Sequence, residues 1–282
     1  MQLPSSASFD IDHQLIAIAG FDANQNEQSL NQQAVNIIAS GPSIAHLAFV
    51  ELLDTATIFV NGSISLLAEH TFNNVVGWVI SDARFISHQP EVFTKYYNGQ
   101  PLYATLAVFE AIAASHPNII REYSSSMRIL YPVDRPWSVK ANKLGFDILS
   151  FKQKLFNKKM PLSHFANDPN FVIDNEHKPV PIGVSLDVTQ GFVEAGTVVY
   201  VAAQLAFSRN AGAIHLYGVD LINSNLPRFY ENTENSAPSK LDKAVSERIV
   251  PSLNLLGRVY KQHGVPVINH SPVSQYLFDD LG

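Results

Sequence analysis

Ser40-Gly41-Pro42-Ser43 stands where one apolar run, VNIIA, gives way to another. At a strand-to-helix corner such residues turn backbone N–H groups outward beside a helix N-terminus, where an anion such as a phosphate can sit. The same residues also make a plain turn with Ser43 as its cap. Further along, Asn61-Gly62-Ser63 repeats the design, and the Asn61 amide offers a donor and an acceptor to a base or a sugar; Asn-Gly is equally an ordinary turn. In SDARF, Asp82 and Arg84 share one side if the strand persists. A carboxylate there can take the proton of an attacking hydroxyl, and a guanidinium can hold a phosphate or carboxylate in a fork. The alternative is a strand-end salt bridge.

LYGVDLINSNLPRFYEN (216–232) places Asp220 at the end of an apolar strand, with Arg228, Tyr230 and Glu231 on the loop after it. A charge at that position needs a partner, either a ligand or a segment that it caps. His270 closes the last apolar run between Asn269 and Ser271, whereas His46, His70, His116 and His215 read as structural or exposed. Asp10-Ile11-Asp12 has the D-x-D form that holds a divalent metal in many nucleotide-sugar enzymes. It precedes the first strand and reads as surface, so no metal site is assigned. Between 135 and 160 lie seven of the nineteen basic residues, among them Arg135, Lys140 and Lys159, interleaved with aromatic and aliphatic residues. Such a segment suits an anionic membrane surface or a phosphorylated acceptor, and it equally suits a solvated helix face.

These residues need a scaffold that brings strand ends together. Apolar runs at 14–19, 35–40, 56–63, 75–85, the start of 101–115, 213–221 and 265–272 read as strands. Helical spacing at 43–53, 64–70, 101–115 and 196–212 falls between them. That alternation predicts a mainly parallel, doubly wound α/β sheet in one domain spanning 1–282. The Pro-rich stretch 121–182 interrupts the rhythm and reads as an insertion.

A net charge of −6 argues against nucleic acid as a partner. With no cysteine, thiolate metal sites and cysteine nucleophiles are excluded. The N-terminus lacks the pattern of a secretory signal and no run is long enough to span a membrane, so the expected location is cytoplasmic.

In order and approximate spacing, IIASGPS (37–43), VNGSISLL (60–67), SDARF (81–85), TVVYVAAQLAFS (197–208), LYGVDL (216–221), PRFYEN (227–232) and N-H-S-P (269–272) resemble one group of enzymes. These are the bacterial Kdo transferases of lipopolysaccharide core synthesis, of the type that adds a late, non-essential Kdo. A more distant likeness is to bacterial CMP-sialic-acid-dependent sialyltransferases. The resemblance implies a Rossmann-like fold and transfer of Kdo from CMP-Kdo to a sugar hydroxyl of the inner core or a related glycan. It further implies no required cofactor or metal, with inversion expected at the ketosidic carbon, and 135–160 can touch the inner face of the cytoplasmic membrane.

By the same resemblance Ser40 to Ser43 and Asn61 to Ser63 frame CMP, Thr197 approaches the phosphate, and Asn269 and Ser271 close the nucleotide side. Arg84 or Arg228 holds the donor carboxylate. The base is drawn from Asp82, Asp220, Glu231 and His270, with Asp82 the first choice. Other readings are an enzyme using a different CMP-ulosonic acid, an ATP-using pterin pyrophosphokinase sharing the G-P-S corner, and a non-catalytic glycan-binding module.

Overall fold

The apolar runs assemble into one nine-stranded sheet in the computed structural model, which describes residues 3–25, 29–135, 159–221 and 241–282. A hairpin of β1 (Ser6–Ile11) and β2 (Gln14–Gly20) starts the chain. Then come β3 (Ala34–Ile38), β4 (Ala56–Val60), β5 (Val75–Ile80), β6 (Leu102–Thr105) and β7 (Met127–Leu130). After a separate antiparallel pair, β8 (Phe171–Asp174) and β9 (Ile182–Ser185), the sheet is completed by β10 (Ala213–Tyr217) and β11 (Val267–Asn269). Its order is β1-β2-β7-β6-β5-β4-β3-β10-β11, parallel throughout except for the β1/β2 hairpin.

Strands such as ATIFV are buried at every position because helices cover both faces, which is why they read as continuous apolar runs. On one face α1 (Arg84–His88), α2 (Pro90–Tyr96), α3 (Leu106–Ser115) and α4 (Pro117–Tyr123) close over a core of Phe59, Trp78, Ile80, Phe93 and Phe109. On the other lie α5 (Val198–Ser208), α6 (Val250–Gln262) and the β8/β9 pair, packed on Ile37, Ile58 and Leu216. This is the expected doubly wound, Rossmann-like α/β arrangement.

From β3 the chain steps outward in one direction through β4 to β7, and β10 and β11 add on the other side of β3. The strand order therefore reverses between β3 and β10, and at such a reversal the crevice beyond the strand C-termini is open to a ligand. Because α5 runs back to the start of β10, its N-terminus lies at that same edge of the sheet.

Several local expectations are corrected. The helices expected at 43–53 and 64–70 are short 3₁₀ turns, Pro42–His46, Phe49–Glu51 and Asn61–Ala68. The strand expected over 75–85 stops at Ile80, so Arg84 begins α1. The segment read as an insertion from 121 instead supplies β7, an interior strand paired along its length with β6 and at Arg128 and Ile129 with β2. Met160 N donates to Asp134 O at 2.9 Å and Lys159 Nζ lies 3.0 Å from the Asp134 carboxylate, so residues 159 and 160 lie beside Asp134 just after β7. Most of the basic segment 135–160 lies outside the described residues. No helix among the described residues is long and apolar enough to cross a membrane.

Candidate active site

At the corner after β3, Gly41 N donates to Gly218 O at 2.9 Å, and Ser43 donates twice to Asp220, from N to Oδ2 at 2.6 Å and from Oγ to Oδ1 at 2.7 Å. The cradle expected to receive a phosphate is thus filled by the chain's own carboxylate, since Pro42 has no N–H and both neighbouring amides are engaged. Glycine at 41 permits this approach: a Cβ there would lie 2.5 Å from Asp220 Oδ2. Gly218 has φ +69, and a Cβ on it would meet Ile44 Cγ1 at 2.6 Å. Asp220 therefore bridges the strand-order reversal and caps the turn that begins at Pro42. Ser40 and Ser43 are half-buried beside it and Pro42 is exposed.

Beyond β4, Asn61 takes a left-handed conformation with φ 48, and its carbonyl accepts Trp78 Nε1–H at 2.8 Å. The residue is half-buried, yet its side-chain Oδ1 is buried without a hydrogen-bond partner. A buried amide atom left unpaired carries a desolvation cost that a ligand group can relieve. Gly62 is buried, and the fully buried Ser63 hydroxyl accepts Val60 N–H at 2.9 Å and lies 2.6 Å from Ile38 O. Ser63 therefore ties the ends of β3 and β4 together and faces no ligand.

Asp82 and Arg84 pair, but not along a persisting strand: β5 ends at Ile80 and Arg84 opens α1. Arg84 Nε donates to Asp82 Oδ1 at 3.0 Å and Oδ2 at 2.8 Å, Arg84 N donates to Oδ1 at 2.9 Å, and Nη2 reaches Oδ2 as well. Partial burial alone would raise the Asp82 pKa, but the hydrogen bonds and charge of Arg84, helped by His88, hold it below the ordinary carboxylate value. Arg84 itself is exposed. On the other face, the Thr197 hydroxyl caps α5 only loosely, accepting Val199 N–H at 3.4 Å.

Asn269 and Ser271 turn inward. Val219 N donates to Ser271 Oγ at 2.7 Å, Ser271 N to Asn269 Oδ1 at 3.1 Å, and Asn269 Nδ2 to Ser274 Oγ at 3.1 Å. Both are buried, so they latch β11 to the end of β10 and present no open face to a nucleotide.

His270 is different. Its backbone continues the β10–β11 pairing, its ring is exposed, and it stacks on Tyr217 at 4.6 Å with the planes 7° apart. His270 Nε2 lies 2.8 Å from Nδ1 of His215, a histidine that sequence reasoning set aside. The signal was present in AIHLY, where positions 215 and 217 of a strand share a face. Arg228 and Glu231 lie outside the described residues. Asp10 and Asp12 fall on the β1–β2 hairpin at the opposite edge of the sheet, and Asp12 pairs with Arg121 at 2.5 Å.

Among the described residues, the strand C-termini thus carry the unpaired Asn61 amide oxygen, the N-terminus of α5 and the exposed His270 ring. Residues 18–272 match the family model described as 3-deoxy-D-manno-octulosonic acid transferase WaaZ. A probable 3-deoxy-manno-octulosonic acid transferase of Salmonella typhimurium strain LT2 is 27% identical over 208 residues, covering 73% of this chain and 71% of the relative. A protein of Escherichia coli strain K12 with the same description is 26% identical over 212 residues, covering 74% and 68%. No solved structure matches the chain significantly.

Proposed function

Because this chain belongs to the WaaZ family of 3-deoxy-D-manno-octulosonic acid (Kdo) transferases, we propose that it moves Kdo from CMP-Kdo to a sugar hydroxyl of the lipopolysaccharide inner core. The observation that most supports a nucleotide-sugar donor in this crevice is Asn61, whose buried, unpaired amide oxygen stands at the end of β4, two strands from β10. The nucleotide lies toward Asn61. The leaving phosphate meets the positive end of α5, where the loosely engaged Thr197 hydroxyl is free to donate.

Distance decides how the remaining groups divide. β5 and β11 are four strand steps apart, roughly 19 Å at the usual spacing. Arg84, folded back on Asp82 at the end of β5, and His270, at the end of β11, therefore do not serve one anomeric carbon together. Either Asp82 and Arg84 form the reacting pair, or His270 acts with a cation from the residues that follow β10 in sequence, such as Arg228. Asp82 has both oxygens engaged by Arg84, which makes it a poor base. His270 retains a free ring nitrogen and is the proposed base.

In the step itself the bond from the ketosidic carbon to the CMP phosphate breaks and its electron pair leaves with CMP. The acceptor oxygen bonds to the oxocarbenium-like carbon from the opposite side with inversion, and its proton passes to His270. No metal takes part in this reading. The peripheral membrane contact through 135–160 belongs to it as the route to a lipid-linked acceptor.

Incubating the protein with CMP-Kdo and inner-core oligosaccharide, with and without EDTA, tests the proposal. The expected outcome is CMP release with a mass gain of one Kdo on the acceptor, insensitive to EDTA. Absence of transfer, with binding of ATP in place of CMP-Kdo, would overturn it in favour of the pyrophosphokinase reading.

A further inference from the structure

We infer that His215 is a positioning residue for His270: it accepts the Nε2 proton of His270 on its own Nδ1 and so leaves His270 Nδ1 as the unprotonated nitrogen that receives the acceptor's proton. This rests on the reading of His270 as the base. The two rings are held close by structure that owes nothing to the imidazoles. His215 is in the middle of β10, paired in register with Ile268 of β11, and His270 N donates to Leu216 O at 2.8 Å. The residues are thereby fixed on adjacent strands, on one face of the sheet. Their ring centroids are 5.1 Å apart, and Nδ1 of His215 is 2.8 Å from Nε2 of His270.

One proton lies on that line, and it has two possible owners. If His215 Nδ1 carried it, His270 would accept at Nε2, keep its own proton on Nδ1 and have no lone pair left for catalysis. That arrangement needs both rings in the Nδ1–H form, the less stable tautomer of neutral imidazole side chains. The alternative has both rings in the favoured Nε2–H form, with His270 as donor and His215 as acceptor. Only this second arrangement yields a base. Tyr217, stacked beneath His270, blocks rotation of the ring and presents a π face that tolerates the imidazolium formed after proton transfer.

Among the described residues, other groups near the pair come from β10, β3 and the 3₁₀ turn Phe49–Glu51. Tyr217 is on β10, and Glu51, in the 3₁₀ turn Phe49–Glu51, interacts electrostatically with it. Asn36, the register neighbour of His215 on β3, is buried and uncharged. Burial lowers the affinity of both imidazoles for a proton, and for His270 the neighbouring His215 lowers it further. Both effects favour the neutral form of the pair, in which one proton lies between the rings.

The test joins a spectroscopic readout with kinetics. Nitrogen-15 NMR of the wild-type protein should show His270 protonated at Nε2 and bare at Nδ1. In His215→Ala the Nε2 proton should exchange freely, the His270 titration midpoint should move up toward the ordinary value, and kcat should fall roughly 10- to 100-fold with KM unchanged. His215→Asn places a carbonyl oxygen where Nδ1 was, so it should restore the Nε2–H signature and most of kcat. An Nδ1–H form of His270 in the wild type would overturn the inference and leave the Kdo-transfer reading standing. The inferred tautomer combined with full transfer by His270→Ala would overturn the base assignment, and the role of His215 with it. Equal kcat in His215→Ala and the wild type would also overturn it.

Discussion

Asp220 and Ser43 hold one another across the reversal of strand order, the carboxylate receiving both the Ser43 amide and the Ser43 hydroxyl at 2.6 and 2.7 Å. Hydrogen bonds to an ionised acceptor are worth about 1.5–3 kcal/mol. Asp220→Ala should therefore lower the melting temperature by roughly 3–10 °C, and Asp220→Asn, which keeps one oxygen, by about half as much. Ser43→Ala keeps the amide bond and should lose least. Thermal melts of the three variants check the order, and an unchanged Asp220→Ala curve would remove the cap from this account.

Asn61 separates stability from binding. Its left-handed backbone would cost alanine about 1 kcal/mol; asparagine bears less of that strain and glycine none. Asn61→Gly should be near neutral in stability, because the relieved strain offsets the freedom glycine adds to the unfolded chain. Asn61→Ala should lose about 1 kcal/mol. Both should weaken CMP binding about tenfold by calorimetry, the equivalent of one lost hydrogen bond. Retained affinity in both variants would place the nucleotide elsewhere.

The Asp82–Arg84 pair should behave as an ion pair at the rim. The folded pKa of Asp82 is lowered, so its contribution is present above the ordinary carboxylate range and disappears as pH falls through that lower value. Both side chains are substantially exposed, which keeps the contribution within about 1 kcal/mol. In Arg84→Gln the Asp82 titration, followed by carboxyl-carbon NMR, should move up. Transfer by Asp82→Asn should fall much less than the ~10²–10⁴-fold expected for loss of a base. A loss of that size would move the chemistry from β11 to β5.

Gln204 is the point on which the second layer depends. This fully buried amide accepts Ser185 N–H and Val193 N–H at 3.0 Å each and donates to Val193 O at 2.9 Å and Tyr200 O at 3.1 Å. Gln204→Leu keeps the volume but leaves two buried amides unpaired, at about 1–3 kcal/mol each. Urea denaturation should show a loss of about 2–6 kcal/mol, larger than for any site variant above. A loss under 1 kcal/mol would show that the loop between β9 and α5 re-pairs its amides elsewhere.

Long apolar runs made the sheet legible, because parallel strands covered on both faces have no polar alternation to obscure them. β1 was missed because SASFDI is buried at only two of its six positions. β7 was missed because it is only four residues long and is followed closely by Pro132 and Pro136, and the composition of its surroundings hid its pairing. At the site, residue types were readable but directions were not. Nothing in the spacing says that Asn269, Ser271 and Ser63 point inward, or that Asp220 turns back to a serine far earlier in the chain. Direction follows from register, and register is a property of the neighbouring strand. The His215–His270 contact was hidden for the same reason, since the two residues become neighbours only when β11 docks on β10.

The cap on Ser43 comes from a residue 177 positions later, and β3 gains its partner β10 only when that same distant segment arrives. A ribosome adding about 5–20 residues per second takes on the order of ten to thirty-five seconds to cover that span. During that interval β2 to β7 can already pair, while the edge of β3 stays open and the Gly41–Ser43 corner has no acceptor. The crevice is therefore the last part of the molecule to be assembled, and a nascent chain that stalls before Asp220 has most of a sheet and no working corner.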